Sequence, residues 1–413
     1  MPISAEEKRL LRELAWQVAE AAELPIQTER IRLWRDSNAL VPKRAMILAD
    51  PQNGWNELVP ESTLKCQNPF ARTIEMTLRR TIFRHQHIHD DYPITKIYPV
   101  EISIHKSSYG VENKYVRSDY KNGSYHIEPS IRTFDDMKKL RPAVIEVDWE
   151  TTYKRMELAD DILGDILMVQ LRGVSFCRCG LTRILVHMRG LDQMMLDIYD
   201  KPEMLHELMA FLRDEQLREY EYYETKGLLS LNNGPNSFTG SGGIAHTDDL
   251  PSKDFTGRVR MKDMFAWGES QEFVGVGPKQ FYEFVLEYQI PILKRFGLVD
   301  YGCCEPLDKK FDLIIDNIPN LRWVSVSPWC DRKVAAEKLG NRYVYVYKPN
   351  PSRICSPKPD FEAAEKDIRE TLEIARGCSV HIVMKDTHTF FNQPERITRW
   401  TDMAVRMAED MAQ

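Results

Sequence analysis

The sequence predicts an α/β protein: a closed (β/α)8 TIM barrel with an N-terminal helical extension and long loops over its C-terminal face. Three observations predict it. Between about residues 278 and 384, helical periodicity alternates with short apolar runs four times, and three of the helices stop at a glycine (Gly297, Gly340, Gly377). The runs are apolar on both faces, as strands are when helices cover a parallel sheet. More than six such units are read over the 413 residues, which favours a closed barrel over an open sheet. Residues 1–92 are assigned to the helical extension and 93–413 to the barrel.

The elements follow in order. Ser4 and Glu7 have the spacing of a capping box, Leu10, Leu11, Leu14, Val18 and Ala22 follow at helical spacing, and Pro25 ends the helix. Residues 45–50 read as a short strand, 69–84 as a helix and 93–104 as a β-branched and aromatic run. The polar stretch 105–132 reads as an excursion over the surface or over a site. Asp200 and Glu203 predict a second capping box, with a helix to Lys226 closed by Gly227, and then a strand over 228–231. Residues 234–262, rich in Gly, Ser and Asp, read as a lid.

A strand near 264–267 precedes the regular third: helix 278–297, strand 298–301, helix 309–317, strand 321–327, helix 331–339, strand 343–347, helix 360–376 and strand 379–384. The last helix is expected from near Asn392, with a core stripe of Ile397, Trp400, Ala404, Met407 and Met411. There is no short-period repeat, and no GxGxxG or GxxxxGK[ST] motif points to nucleotide binding.

Composition narrows the classes. A net charge of -6 without a Lys/Arg block argues against nucleic acid as a partner. No apolar run approaches the roughly 18 residues of a membrane span, and the first residues lack a signal-peptide pattern, so a soluble cytoplasmic protein is expected. Eight cysteines in a chain of this length are then free thiols or metal ligands.

In a barrel, chemistry gathers at the C-terminal strand ends. Those ends carry Trp267 to Ser270, Cys303-Cys304-Glu305, Ser327 to Asp331, Tyr347 to Asn350, and Lys385 to Thr389. Zinc accepts thiolate, carboxylate and imidazole, so Cys303, Cys304, Glu305 and His388 are the candidate metal ligands. Glu269, Glu305 and Asp386 are candidate acids or bases, and Trp267, Tyr301 and Asn350 candidate cofactor contacts. Each has a plainer alternative. Cysteine is often a small buried hydrophobe, and strand alternation lets only one of the pair face inward. Glu269 could bond backbone, His388 could cap a helix, and Cys330 could be structural. His381 reads as a core histidine, the His85/His87/His89 string as a solvated helix end, and Cys177 and Cys179 lack a second pair for a structural zinc.

Several segments resemble the uroporphyrinogen decarboxylase superfamily, which includes cobalamin-dependent methyltransferases, over roughly residues 130–410. Thr133 to Leu140 (TFDDMKKL) is similar to its T-x-E-D-L-x-x-L entry. Arg189 to Glu203 resembles its G-x-E … Y-D-x-P-E helix start, Gly275 to Phe284 its "iSPemFeef" segment, and Asn392 to Glu395 its closing "tPxEN". Tyr301-Gly302-Cys303-Cys304 stands where the methyltransferases carry H-x-C-G. The resemblance implies a zinc-dependent methyltransferase moving a methyl group between a small methylated substrate and a corrinoid, with a corrinoid protein as partner. A homodimer is compatible with it. The alternative is a metal-free decarboxylase using Glu269 and Asp386. Departures are specific. The decarboxylase's RQAGR arginine motif is missing, and Tyr301 replaces the metal-binding His, so only Cys303 carries over as a ligand. His388 falls where the later Cys would be, while Cys304 and Glu305 come from the residues alone. A non-enzymatic corrinoid carrier is weakened by the lack of an Asp-x-His-x-x-Gly motif.

Overall fold

A computed structural model describes residues 3–117 and 125–412. The predicted excursion over 105–132 therefore lies partly outside the described residues. The strands are β1 (Met46–Ala49), β2 (Ile97–Glu101), β3 (Ser103–Lys106), β4 (Lys114–Arg117), β5 (Tyr125–Glu128), β6 (Ile145–Asp148), β7 (Met168–Arg172), β8 (Cys177–Cys179), β9 (Phe265–Gly268), β10 (Leu298–Tyr301), β11 (Leu321–Val326), β12 (Val344–Tyr347) and β13 (Ser379–Met384). Seven form one parallel sheet in the order β1-β13-β12-β11-β10-β9-β8. Every residue of β1, β9, β12 and β13 is buried, as in a parallel sheet covered on both faces.

The hydrogen-bonded ladder runs from β1 to β8, and no ladder joins those two edges among the described residues. β2 and β7 pair in parallel as a separate two-stranded unit, β3 with β6 and β4 with β5 antiparallel. Side chains satisfy the free edge of β1: Asp91 accepts the Ile47 N–H at 2.7 Å and Asp90 the Ala49 N–H at 2.8 Å. Arg84 and Arg44 hold these carboxylates. A second apolar cluster unites the helices Ala5–Glu23, Pro69–His87 and Trp149–Leu163 with β2 and β7, so it draws on residues on both sides of position 92.

Most predicted elements are present, and the Ser4/Glu7 capping box is made. Pro25 does end the first helix, but it also opens another, Pro25–Asn38, as proline at a first helical position does. Three expectations differ. The helix Pro202–Lys226 begins after Lys201 with no side-chain cap, so the Asp200/Glu203 box does not form. Residues 228–231 make a single bridge, Leu229 to Val174. Beyond it, the Asn232 side-chain amide donates to the Ser175 and Phe265 carbonyls and accepts the Phe265 N–H, taking the place of a backbone ladder. The last helix starts at Glu395, beyond Asn392, whose positive φ of 52° breaks the helical path.

The segment read as a lid is the largest departure. Residues 239–241 and 243–245 are buried, seated in the hollow of the sheet. Glycine permits this. A Cβ on Gly240 would lie 1.2 Å from Asp300 Oδ2, and one on Gly243 would lie 2.6 Å from the Trp323 ring. The His85/His87/His89 string ends the helix Pro69–His87 at the surface, with His89 on Asp402. His381 is fully buried between the Trp34 and Trp323 rings, bonded through Nε2 to Ser37, and burial pulls its pKa down to about 3. No helix among the described residues is long and apolar enough to cross a membrane.

Candidate active site

Register decides which strand residues face the hollow. Arg178 on β8, Trp267 on β9, Asp300 on β10 and Trp323 on β11 are successive partners, so they share one face. Cys179, Gly268 and Tyr301 share the other, toward the helices. Tyr301 accordingly donates its hydroxyl to Gln289 at 2.7 Å and packs on Phe281. That puts the predicted cofactor contact Tyr301 in the helix layer.

Past the strand end the chain turns at Gly302, whose carbonyl accepts the Trp267 indole N–H, and brings Cys303 back over the hollow. Cys303 is only 5 % exposed. Its sulfur lies 3.5 Å from Cys304 Sγ, 3.2 Å from the Ser241 hydroxyl and 3.8 Å from Lys385 Nζ. The hydrogen bond from Cys304, with the charges of Lys385 and Lys348 and the Ser241 hydroxyl, outweighs burial and pulls the Cys303 thiol down to about 6. Cys304 keeps its proton, because the neighbouring Cys303 sulfur, burial and the Asp386 charge all push its pKa up. Its S–H sits between Cys303 and Asp386 Oδ2, the latter 3.3 Å away.

Two lysines complete the cluster. Lys385 also donates to Ser241 Oγ at 2.8 Å; burial alone would lower its pKa, but Cys303 and Asp386 hold it raised. Lys348 donates to the Ser241 and Gly242 carbonyls at 2.7 and 3.1 Å. Burial and the Lys385 charge bring Lys348 down to about 8. Asp300, 2 % exposed, is pushed up to about 7 by burial, with Lys348 opposing.

The other nominated residues are distributed. Glu305 turns back toward its own strand: Oε1 accepts the Ser270 N–H and Oε2 the Cys303 N–H, both at 2.9 Å. Burial and then the Cys303 charge raise it to about 7. Glu269, fully buried, takes the Arg178 guanidinium at 2.7 Å and the Gln271 N–H. Burial and Glu272 raise it to about 7 against the pull of Arg178. Arg178 stacks 4.6 Å from the Trp267 ring. Asn350 caps the turn at Pro351 by accepting the Ser352 N–H. His388 is exposed and bonds Asn53 through Nδ1 at 2.9 Å. Cys330, Cys177 and Cys179 are buried in the apolar core.

The structure thus brings together Cys303, Cys304 and Asp386, and adds Ser241, Asp300, Lys348 and Lys385, which sequence reasoning did not assign. A carboxylate inside the apolar run 298–301 was a signal for Asp300, since such a group is rarely buried without a task. Lysines directly after apolar strands were signals for Lys348 and Lys385. Nothing local marks Ser241.

Among the described residues no three His, Cys, Asp or Glu side chains are placed to hold a metal ion. The positive charge facing the Cys303 sulfur comes from Lys385 instead.

A cavity of about 340 Å³ is lined in part by Thr77, Tyr92, Tyr98, Phe176, Asn232 and Phe238, and by none of the residues of the Cys303 cluster. Phe176 packs edge-on against Trp267, and Phe238 stacks on Tyr92.

No protein-family model and no curated protein matches the chain. Among solved structures, a methyltransferase from Methanosarcina mazei superposes with a TM-score of 0.39 at 11 % identity, over 73 % of this chain and 76 % of that one. A likeness at this level carries no argument about function.

Proposed function

We propose that the chain is an enzyme of methyl transfer, built on a (β/α)8-like barrel, in which the Cys303 thiolate takes the methyl group from a small methylated substrate. The observation that supports it most is the Cys303 sulfur at the mouth of the sheet, with Cys304, Ser241 and Lys385 all directed at it. The sulfur attacks the methyl carbon, a sulfur–carbon bond forms, and the carbon–heteroatom bond breaks with its electron pair leaving on the heteroatom. Cys304, which keeps its proton and donates it to Asp386 in the resting site, would supply the proton for that heteroatom. The methyl group then passes to an acceptor. The resemblance of the Tyr301 to Cys304 segment makes a corrinoid, on a partner protein, the acceptor in this reading. Zinc is not used in it, because no three His, Cys, Asp or Glu side chains among the described residues are placed to hold a metal ion.

The test is formation of methylcobalamin from chemically reduced cobalamin and a panel of methyl ethers, methylamines and methyl thioethers. One or more donors should react, and Cys303→Ser should abolish the reaction. Equal rates with Cys303→Ser would refute the reading. Zinc measured on protein purified without chelator tests the metal separately. A metal-free decarboxylase is favoured by a different observation, the two buried lysines at the mouth, which would hold a carboxylate. Carbon dioxide release from a carboxylated substrate, unaffected by Cys303→Ser, would select it.

A further inference from the structure

The adjacent thiols offer a chemistry that methyl transfer does not use. We infer that Cys303 and Cys304 form an oxidative modification site, at which a hydroperoxide closes a vicinal disulfide and switches the thiolate off. The loss of activity rests on the reading of Cys303 as nucleophile; the disulfide itself does not.

Geometry carries the inference. The two sulfurs stand 3.5 Å apart, so about 1.5 Å of approach makes the bond. Cys304 is half-buried and open to a small oxidant, while Cys303 behind it is nearly enclosed. Lys385 and Ser241 face Cys303 and favour the sulfur in its charged, nucleophilic form.

The step balances. The Cys303 sulfur attacks one peroxide oxygen, an S–O bond forms, the O–O bond breaks, and the leaving oxygen departs as water (from hydrogen peroxide) after taking a proton. The Cys304 sulfur then displaces the sulfenic oxygen, the S–S bond forms, and that oxygen leaves as a second water with the Cys304 proton. Two thiols are oxidised and one hydroperoxide is reduced. Neighbouring Cα atoms are about 3.8 Å apart, shorter than the span of an unstrained disulfide, so the ring is strained and easily reduced. Strain makes the modification reversible rather than structural.

The experiment uses the full chain. Reduced protein is treated with hydrogen peroxide, blocked with iodoacetamide and digested with trypsin. The peptide Phe296 to Lys309 contains Cys303 and Cys304 and no other cysteine. It should lose about 2 Da, resist alkylation and recover both properties in dithiothreitol. Methyl transfer should fall about tenfold or more and return with the reductant. Cys304→Ser should instead leave a sulfenic acid at Cys303 that dimedone traps. A wild-type peptide that only gains oxygen, or a cross-link from Cys303 to Lys385, would overturn the disulfide. A disulfide that forms while methyl transfer continues unchanged would overturn the switch and the nucleophile reading together, and is distinguished from the first failure by the peptide mass.

Discussion

Replacing Lys385 by Met removes an ammonium group 3.8 Å from the Cys303 sulfur and leaves the other donors in place. At that distance and an effective dielectric constant of about 20, the interaction is worth about 4 kcal/mol, or about 3 pKa units, as an upper bound. Cys304, Ser241 and Lys348 still act on the sulfur, so the expected rise is smaller, at least about one unit above the wild-type value of about 6. At pH 6 the thiolate fraction then drops from about 0.5 to about 0.1, and the rate of alkylation drops about fivefold. The assay is the pH dependence of iodoacetamide alkylation, read on the peptide Phe296 to Lys309 with the modified sulfur located by fragmentation. Lys385→Arg keeps the charge and should keep a midpoint near that of the wild type. An unchanged profile in Lys385→Met, or a wild-type midpoint near the about 8.5 of a free thiol, would refute the electrostatic account.

Further outcomes follow from the same contacts. Gly240→Ala forces a Cβ toward Asp300 Oδ2 in a left-handed backbone conformation (φ 63°), and should cost about 2–4 kcal/mol in chemical denaturation. Arg189→Met strands Asp197 without its guanidinium in a site 2 % and 0 % exposed, and should destabilise by about 3–5 kcal/mol by the same measurement. Glu305 is raised from 4.5 to about 7, so the folded state holds its proton more tightly, and its contribution is full below pH 4.5 and lost as pH rises through about 7. Against the wild type, Glu305→Gln should therefore gain up to about 3 kcal/mol between pH 5 and pH 8; a flat difference across that range would contradict the burial of the carboxylate.

Much of the fold was legible because the final third of the chain repeats one physical pattern. Strands such as Val344–Tyr347 and Ser379–Met384 are buried on both faces and mostly apolar, and the intervening helix Phe361–Ile374 is amphipathic. What sequence reasoning missed depends on side chains replacing backbone. Asn232 substitutes for a strand, and Asp90 and Asp91 satisfy an edge, neither of which leaves a periodic signature. The segment 239–245 looked like a surface loop because glycine and serine usually mark one; here the glycines permit close approach to Asp300 and Trp323 in the interior. For the site, the Cys303-Cys304 pair stood out in sequence, yet its surroundings did not. Ser241 and Lys385 come from positions 62 and 82 residues away, and only the fold brings them to one sulfur.

The central claim is that Cys303 carries the methyl group. It is tested most directly by rapid acid quench of the full chain after one turnover with a reactive donor and no acceptor, followed by mass analysis of the peptide Phe296 to Lys309. The account predicts a gain of about 14 Da located on Cys303, absent in Cys303→Ser and removed when reduced cobalamin is added. A donor that is demethylated in the presence of acceptor while this peptide stays unmodified, with Cys303→Ser fully active, would contradict it.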